Sequence, residues 1–394
     1  MIKEGLESEN FVCGVFVDFR KAFDTVDHEI LLHKLSHYGI RGIANDWFRS
    51  YLSERYQFTS VNGCNSEKNL MKFGVPQGSV LGPLLFLVYI NDLHNAMKYS
   101  ITHHFADDTN HLVSNPCLKT LQNHLNYDLK QLSKWLRANK ISLNAAKTEV
   151  ILFTHKNKQI AYRNQDGVLI PWEFKIKIDG KKIAPSTHVK YLGILIDSGL
   201  TWKYHFETLS VKLSRAVGML AKIRYYVDSS TLKMIYHGIF SSLMQYASQI
   251  WGQNSDISSK VENLQNKAIR IMNFEKFSAS VNPLYHKLDI PKFSDSVKIL
   301  NFLFAHDTLK GNLPRSLCDK LRLSDIQYDH RHHLTTMVNV PKIRTVTSGS
   351  NSIKYKAAKI WNEFALEFKK VKFLQDHRSV CKSFLIDYYI NTYK

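Results

Sequence analysis

Three aspartates have the residue type and spacing for metal-dependent phosphate chemistry. Asp18 closes a buried-looking apolar run, FVCGVFVD, and Asp107 and Asp108 form a doublet between two strand-like segments. An acidic doublet in a turn is usually only a solvated turn, because Asp suits turn geometry. Carboxylates held side by side repel each other, however, unless a cation lies between them. Such hard oxygen ligands suit Mg²⁺, and two such ions can support an in-line phosphoryl displacement.

The elements that position these aspartates alternate over the first 155 residues. Residue patterns predict strands at Phe11–Asp18, Tyr56–Val61, Asn69–Phe73, Tyr99–Phe105, Asn110–Val113, Val150–Thr154 and Val189–Asp197, and helices at Asp24–Tyr38, Ala44–Ser53, Leu81–Met97 and Leu118–Ala138. After Trp202 the pattern turns helical, at Thr208–Val227, Thr231–Ile250 and Lys260–Asn273. The order predicts an α+β domain followed by a mainly helical one.

Positive charge is concentrated in the C-terminal part of the chain. The formal net charge is +19, yet residues 1–150 hold 16 basic and 15 acidic side chains, against 37 and 19 in residues 151–394. Two lysine clusters stand out, Lys175/Lys177/Lys181/Lys182 and Lys369/Lys370/Lys372. An excess of this size exceeds what solubility requires. We therefore favour a nucleic-acid partner, bound through its phosphates.

Composition also excludes several classes of protein. The five cysteines are scattered without CxxC spacing, which argues against a disulfide framework or structural zinc and favours a reducing intracellular compartment, nucleus or cytoplasm. The first ten residues lack the apolar region of a signal peptide. The longest apolar run, Val80–Ile90, is shorter than the ~20 residues of a membrane span. We expect a soluble protein without a membrane partner.

Five segments occur in the order typical of one family. They are FVDFRKAFD (16–24), GVPQGSVLGP (74–83), FADD (105–108), LNAAKT (143–148) and YLGI (191–194). Together they resemble the palm motifs of reverse transcriptases from non-LTR (LINE-type) retrotransposons, the last two being similar to motif D and the primer grip. A looser similarity continues through residues 264–270, 313–314 and 359–362.

The resemblance implies both a fold and a domain order. The expected fold class is α+β, with a polymerase palm made of an antiparallel sheet and packed helices, followed by a basic, mainly helical thumb-like region. We expect the palm with residual fingers elements at 1–155, the end of the palm and the primer-grip hairpin at 156–200, the thumb-like region at 201–280, and a basic C-terminal region at 281–394.

The resemblance also implies an RNA-directed DNA polymerase that uses an RNA template, a DNA primer and dNTPs. Asp18 and Asp107 would be the principal ligands of two Mg²⁺ ions, or of Mn²⁺, with Asp108 beside them and the Phe19 carbonyl completing one shell. Lys147 matches the motif-D lysine, which would protonate the departing pyrophosphate. A solvated surface lysine is the competing interpretation.

Two further sets of residues would contact the substrates. Phe23 matches the steric-gate position, where a bulky ring would collide with a ribose 2′-oxygen and so favour deoxynucleotides; without the motif it would pass for a core aromatic. In the glycine-bearing loop, Pro76, Gln77 and Gly78 would approach the incoming nucleotide or template. Tyr191, Leu192 and Gly193 would let the primer backbone lie against a strand turn. The eighteen histidines receive no role.

The match departs from the family pattern at the N-terminus. Only seventeen residues precede Asp18, whereas a fingers subdomain with triphosphate-clamping basic residues, and an endonuclease, are expected there. We therefore expect a truncated product that binds primer–template but polymerises poorly or not at all, since orientation supplies several kcal/mol of catalysis. Two alternatives stay open: a non-catalytic nucleic-acid-binding relic, and another two-metal enzyme such as a nucleotide cyclase. The Pro-Gln-Gly loop and the long basic part disfavour a cyclase.

Overall fold

The chain divides into two compact units, residues 1–193 and 194–394. The computed structural model describes residues 1–154, 161–163, 169–171, 173–324, 337–368 and 375–394. The lysine cluster at 369, 370 and 372 lies outside the described residues. In the described part of the chain, no helix is both long enough and apolar enough to cross a membrane.

Unit 1 combines five helices and thirteen strands among its described residues. The helices are α1 (Ile2–Glu7), α2 (His28–His37), α3 (Ile43–Leu52), α4 (Leu81–Ile90) and α5 (Leu118–Ala138), with 3₁₀ turns at Ala22–Asp24 and Asn91–Ala96. The strands are β1 (Phe11–Val17), β2 (Tyr56–Gln57), β3 (Ser60–Val61), β4 (Cys64–Asn65), β5 (Asn69–Leu70), β6 (Ile101–Phe105), β7 (Asp108–Asn115), β8 (Glu149–Phe153), β9 (Ala161–Arg163), β10 (Leu169–Pro171), β11 (Ile176–Ile178), β12 (Lys181–Ile183) and β13 (His188–Tyr191).

A four-stranded antiparallel sheet in the order β6-β7-β1-β8 forms the centre of unit 1. Strand β1 is buried along its whole length and pairs with β7 on one side and β8 on the other. Burial on both sides explains why its sequence is a continuous apolar run. The predicted antiparallel sheet with packed helices is confirmed.

One face of this sheet is covered by helices. Alternate residues of β1, namely Phe11, Cys13, Val15 and Val17, point into the core of unit 1, as a period of two requires. They meet the leucine stripe predicted on α5, whose members Leu121, Leu125, Leu129, Leu132 and Leu136 are all buried. The opposite face therefore carries Phe16 and Asp18, which leaves that face for the candidate site.

The entry to β6 is fixed by a buried carboxylate on α5. Asp128 is 1% exposed and accepts hydrogen bonds from the backbone N–H groups of Lys98, Tyr99 and Ser100, at 3.0, 3.0 and 2.6 Å. Three charge-assisted bonds offset the cost of burying the carboxylate. Asp128 thereby anchors the strand that leads into the Asp107-Asp108 turn.

The helix-covered face of β6 and β7 also holds two histidines. The ring nitrogen Nδ1 of His111 bonds the Thr102 hydroxyl, and that of His104 bonds the Thr109 hydroxyl, each at 2.9 Å. The Nε2 atoms of both rings are buried without a hydrogen-bond partner. Burial is the main cause that lowers the pKa of His111 to about 3, and the neighbouring His104 adds to it. Both rings therefore pack as neutral side chains.

Unit 2 is helical apart from the strand β14 (Ile194–Asp197) in its described part. Its helices are α6 (Lys203–Ile223), α7 (Ser229–Ile235), α8 (Ser242–Gln245), α9 (Ser248–Trp251), α10 (Ser255–Met272), α11 (Asn282–Leu288), α12 (Phe293–Leu309), α13 (Arg315–Cys318), α14 (Ile353–Glu367) and α15 (Arg378–Asn391), with π turns at Tyr236–Ser241 and Val346–Ser350. Buried rings stack around α12, where Phe293 meets Trp251 and Phe302 meets Trp361.

Two predicted elements are divided in the structure. The strand predicted at Val189–Asp197 breaks at Leu192 and Gly193, whose φ angles of +46° and +77° do not belong to an extended strand. The helix predicted at Thr231–Ile250 is interrupted by the π turn and by Ala247, with φ of +50°. Apolar periodicity survives such local changes of backbone, so the pattern alone does not reveal them.

We predict that Asp128→Asn lowers the free energy of unfolding by about 2–4 kcal/mol, because the amide cannot accept all three N–H groups. Urea denaturation measures this. Asp179→Asn is the matched control, since Asp179 is exposed and pairs with Arg137, and such a change should cost less than about 1 kcal/mol. Equal losses in the two variants would show that Asp128 does not anchor β6.

We further predict that stability falls as the pH drops below ~6.5, because the unfolded chain binds a proton at His111 that the folded chain excludes. The slope contributed by this ring approaches about 1.4 kcal/mol per pH unit. His111→Gln removes the titrating ring and should flatten the profile between pH 7 and pH 5. An unchanged slope in urea titrations would contradict the assignment.

Candidate active site

Pairing between β1 and β7 brings the predicted carboxylates together. Val17 lies opposite Thr109 and Phe16 opposite Asn110, so the same register continued by one residue sets Asp18 opposite Asp108. Directly opposed residues of antiparallel strands have Cβ atoms about 4.5–5.5 Å apart and point to the same face. Two aspartates separated by 89 residues in sequence therefore end at one edge of the sheet.

Asp107 occupies the tight turn between β6 and β7. Phe105 pairs with Asp108, which leaves Ala106 and Asp107 as the two central residues. Ala106 has a φ of +53°, a backbone conformation that favours glycine. A two-residue turn of this kind matches the twist of the flanking strands and holds Asp107, which is exposed, next to Asp108.

Asp18 is fixed by the segment that precedes β8. The Asn144 side chain donates a hydrogen bond from Nδ2 to Oδ2 of Asp18 at 2.9 Å, and the Asn144 backbone N–H donates to the Asp18 carbonyl at 2.8 Å. The Arg20 N–H donates to the Ser142 carbonyl at 2.9 Å, so Phe19 and Leu143 form a short antiparallel bridge. Asn144 therefore orients one oxygen of the Asp18 carboxylate.

The electrostatics of the three aspartates agree with this placement. Burial raises the pKa of Asp108, and the negative charges of Asp107 and Asp18 raise it further. Both neighbours are thus close enough to disfavour the ionised form of Asp108. A cation bound between the carboxylates would remove this repulsion.

The predicted primer-grip tyrosine lies on the same face of the sheet. The Tyr191 ring packs edge-on against Phe16, with centroids 5.3 Å apart, and its hydroxyl hydrogen-bonds the Asn110 side chain. Burial raises the pKa of Tyr191, and the charge of Asp108 adds to that shift. Leu192 and Gly193 then turn the chain away with positive φ angles.

The glycine-bearing loop lies against the segment that follows Asp18. The Gly74 N–H donates to the Val26 carbonyl and the Val75 N–H to the Phe23 carbonyl, both at 2.8 Å. A Cβ on Gly74 would come within 2.9 Å of the Asp24 backbone, and its φ of +87° is one that L side chains rarely adopt. Glycine is therefore required there for the loop to approach.

Phe23 and Gln77 meet at this contact. The Phe23 ring packs against Phe86 at 4.7 Å and is only partly buried, so one side is supported by the core while the rest reaches the surface. The Gln77 amide donates to Oδ1 of Asp24 at 2.7 Å, which leaves its own oxygen as an acceptor. Pro76 is half-buried and Gly78 exposed. The structure thus groups the four residues predicted to contact the nucleotide.

Two predicted residues are placed less directly. Lys147 is exposed, and its backbone N–H donates to the carbonyl of Asn144 at 3.1 Å, so it lies one turn beyond the residue that holds Asp18. The side chain of Phe19 is buried in the core. The bonds of the bridge use the carbonyls of Asp18 and Ser142, not that of Phe19, which keeps the predicted metal-facing oxygen out of the bridge.

Among the described residues, no group of three His, Cys, Asp or Glu side chains is arranged to hold a metal by itself. Mg²⁺ sites of phosphate-transferring enzymes do not need such a group, since one or two carboxylates plus substrate phosphates suffice. The donor set fits: Asp18 and Asp108 offer hard oxygen atoms at one sheet edge, and Asp108 carries the signature of carboxylate repulsion.

Sequence reasoning missed two residues of this site, Asn144 and Asn110. Asn144 lies inside the LNAAKT segment, where Lys147 drew the attention, and no spacing signal links it to Asp18 across 126 positions. Asn110 forms a hydrogen bond with Tyr191 and lies opposite His103, whose Nδ1 is 3.2 Å from the Asn110 side-chain oxygen. Their alternation with Asp108 along β7 was the available signal, since residues two apart share a face.

The comparisons with known proteins agree with the motifs. Residues 6–196 match the family described as reverse transcriptase (RNA-dependent DNA polymerase). The chain is 28% identical over 286 residues to a probable RNA-directed DNA polymerase from transposon BS of Drosophila melanogaster, covering 68% of this chain and 30% of that protein. It is 26% identical over 330 residues to the RNA-directed DNA polymerase of the mobile element jockey of Drosophila funebris, covering 81% and 34%.

A third relative is a probable RNA-directed DNA polymerase from transposon X-element of Drosophila melanogaster, 26% identical over 320 residues and covering 78% of this chain and 33% of that protein. The chain thus spans about a third of the length of these curated relatives. A telomerase from Candida albicans, solved with a fragment of telomeric RNA, aligns with a TM-score of 0.37 and 11% identity over 75% of this chain and 46% of that one. Through residues 6–196, the chain belongs to the reverse transcriptase family, on the side of the non-LTR, LINE-type retrotransposons.

Proposed function

We propose that unit 1 is the palm of an RNA-directed DNA polymerase that adds deoxynucleotides to a primer 3′-hydroxyl. The observation that carries the proposal is the β1–β7 register, which sets Asp18 opposite Asp108 beside the Asp107 turn. Membership of the reverse transcriptase family supports the same reaction. The substrates would be an RNA template, a DNA primer and dNTPs.

Asp18, Asp107 and Asp108 would hold two Mg²⁺ ions, with Mn²⁺ as a substitute. When bound, these ions would make the primer hydroxyl more acidic and stabilise charge on the departing pyrophosphate. Asn144 keeps one Asp18 oxygen engaged, so the other remains available as a ligand. Lys147, exposed on the neighbouring loop, would donate a proton to the leaving group.

The remaining side chains would select and orient the substrates. Phe23, supported from behind by Phe86, would exclude a ribose 2′-oxygen by shape. The loop through Pro76, Gln77 and Gly78, brought close by Gly74, would face the nucleotide and template. Tyr191 on the sheet face, with Leu192 and Gly193 at the following bend, would support the primer strand near Asp108.

Primer extension on an RNA template with Mg²⁺ and dNTPs tests the function directly. We expect slow addition of nucleotides at excess protein, because this chain spans only a third of its relatives' length. Asp107→Ala should reduce the rate at least about 1,000-fold, since metal stabilisation of the transition state contributes several kcal/mol.

Asp46→Ala is the matched control for that experiment, since Asp46 is an exposed aspartate of α3 and should leave extension unchanged. If extension by the wild-type chain with either Mg²⁺ or Mn²⁺ does not exceed that of Asp107→Ala, the polymerase proposal is wrong for this chain. A non-catalytic nucleic-acid-binding relic would then be the better description.

We also predict that Asn144→Ala weakens divalent-ion binding by about 10- to 100-fold, the usual effect of losing a residue that orients a metal ligand. Binding of Mn²⁺, followed by electron paramagnetic resonance, measures this without any turnover. Asn126→Ala is the control, because Asn126 bonds only the backbone of β11 among the contacts that define its place. An Mn²⁺ affinity equal to that of the control would show that Asn144 does not position Asp18.

A further inference from the structure

A cluster of exposed aromatic rings lies where α6 and α10 end in unit 2. Tyr225 and Tyr226 follow α6 and are 66% and 87% exposed, while Phe274 and Phe277 follow α10 and are 57% and 76% exposed. The Tyr225 and Phe274 rings meet edge-on with centroids 5.5 Å apart. Four large rings exposed to this degree at one place are typical of a binding surface.

Two arginines are built into this aromatic cluster. The Arg224 guanidinium lies over Tyr225 and Phe274, at 4.7 and 4.8 Å from their centroids, and Arg270 lies over Phe277 at 5.4 Å. Arg224 donates to the Ile271 carbonyl at 3.0 Å and Arg270 to the Ala279 carbonyl at 2.9 Å. In the described part of the chain neither guanidinium forms an ion pair, so backbone carbonyls hold both in place without neutralising their charge.

Phe274 occupies a backbone position that a phenylalanine fills at a cost. Its N–H donates to the Ile271 carbonyl, and the Glu275 N–H donates to the Arg270 carbonyl, the pairing that ends a helix with a left-handed residue, usually glycine. The φ of Phe274 is +59°, which is strained for a bulky side chain. Strain of this kind is found where a side chain serves a function other than packing.

The surroundings of the rings are basic. Segments 222–226 and 267–277 together carry five basic residues, Lys222, Arg224, Lys267, Arg270 and Lys276, against one acidic residue, Glu275. Exposed rings combined with unneutralised arginines match the way proteins bind unpaired nucleotides: bases stack on the rings and phosphates meet the cations. A protein partner or a second copy of the chain would have to bury these positive charges, which disfavours both.

We infer that the aromatic–arginine cluster of Arg224, Tyr225, Tyr226, Arg270, Phe274 and Phe277 binds single-stranded nucleic acid by stacking. The inference extends the proposed function, because a polymerase on an RNA template handles unpaired nucleotides. It does not depend on catalysis, since the cluster lies in unit 2 and requires no metal ion.

Fluorescence anisotropy with a labelled oligouridylate of about 12 nucleotides, a length within the range of single-strand binding sites, tests the inference on the full chain in EDTA. Phe274→Gly removes a stacking ring while supplying the residue that the left-handed position prefers, so the variant should fold. We expect it, and Tyr226→Ala, each to weaken binding of the single strand about 5- to 100-fold. Binding of an RNA duplex of the same length should stay within about twofold.

Tyr246→Ala is the control, because Tyr246 is another exposed tyrosine of unit 2, 55% exposed, on a different segment. Single-strand affinity equal to wild type in both cluster variants, or equally lost in the control, would overturn the inference. So would sedimentation showing that the wild-type chain dimerises and that Phe274→Gly is monomeric, since the rings would then cover a second copy. Because EDTA removes divalent ions, a failure of the polymerase proposal leaves this result unaffected.

Discussion

The antiparallel register between β1 and β7 is the constraint on which the candidate site depends. It sets Phe16 opposite Asn110 and, one residue on, Asp18 opposite Asp108. A slip of one residue would turn Asp18 away from Asp108 and towards the helices, because side chains alternate between the faces. The buried face of β1 prevents that slip, since it would expose Val15 and Val17. The apolar core thus determines where the acidic groups lie.

Supporting contacts hold this arrangement from three sides. Asp128 fixes the backbone that enters β6, Asn144 holds Asp18, and the Asn110–Tyr191 contact ties the end of unit 1 to β7. All three use amide or carboxylate groups to satisfy or orient atoms at the sheet edge, whereas helix packing supplies the hydrophobic stabilisation on the opposite face. Positioning of the site and stabilisation of the fold are therefore divided between the two faces of one sheet.

Much of the fold could be predicted from local patterns. The α5 stripe ends where Leu118–Ala138 ends, Asn62 and Gly63 form the predicted hairpin turn with φ of +51° and +81°, and the α+β class is confirmed. The Asn144 contact and the breaks at Leu192–Gly193 and Ala247 could not be predicted, because they depend on partners distant in sequence or on single backbone angles. The steric-gate, nucleotide and primer roles remain predictions, although the structure groups Phe23 with the glycine loop and Tyr191 with Asp108.

Iron-mediated cleavage of the polypeptide would test the shared metal site most directly. Fe²⁺ bound in place of Mg²⁺ generates radicals with ascorbate and peroxide, and these cut the backbone beside the ion. If Asp18, Asp107 and Asp108 share a site, cuts should appear near residue 18 and near residues 107–108 together, and excess Mg²⁺ should suppress both. Cuts at only one of these places, or cuts that Mg²⁺ does not suppress, would contradict the account.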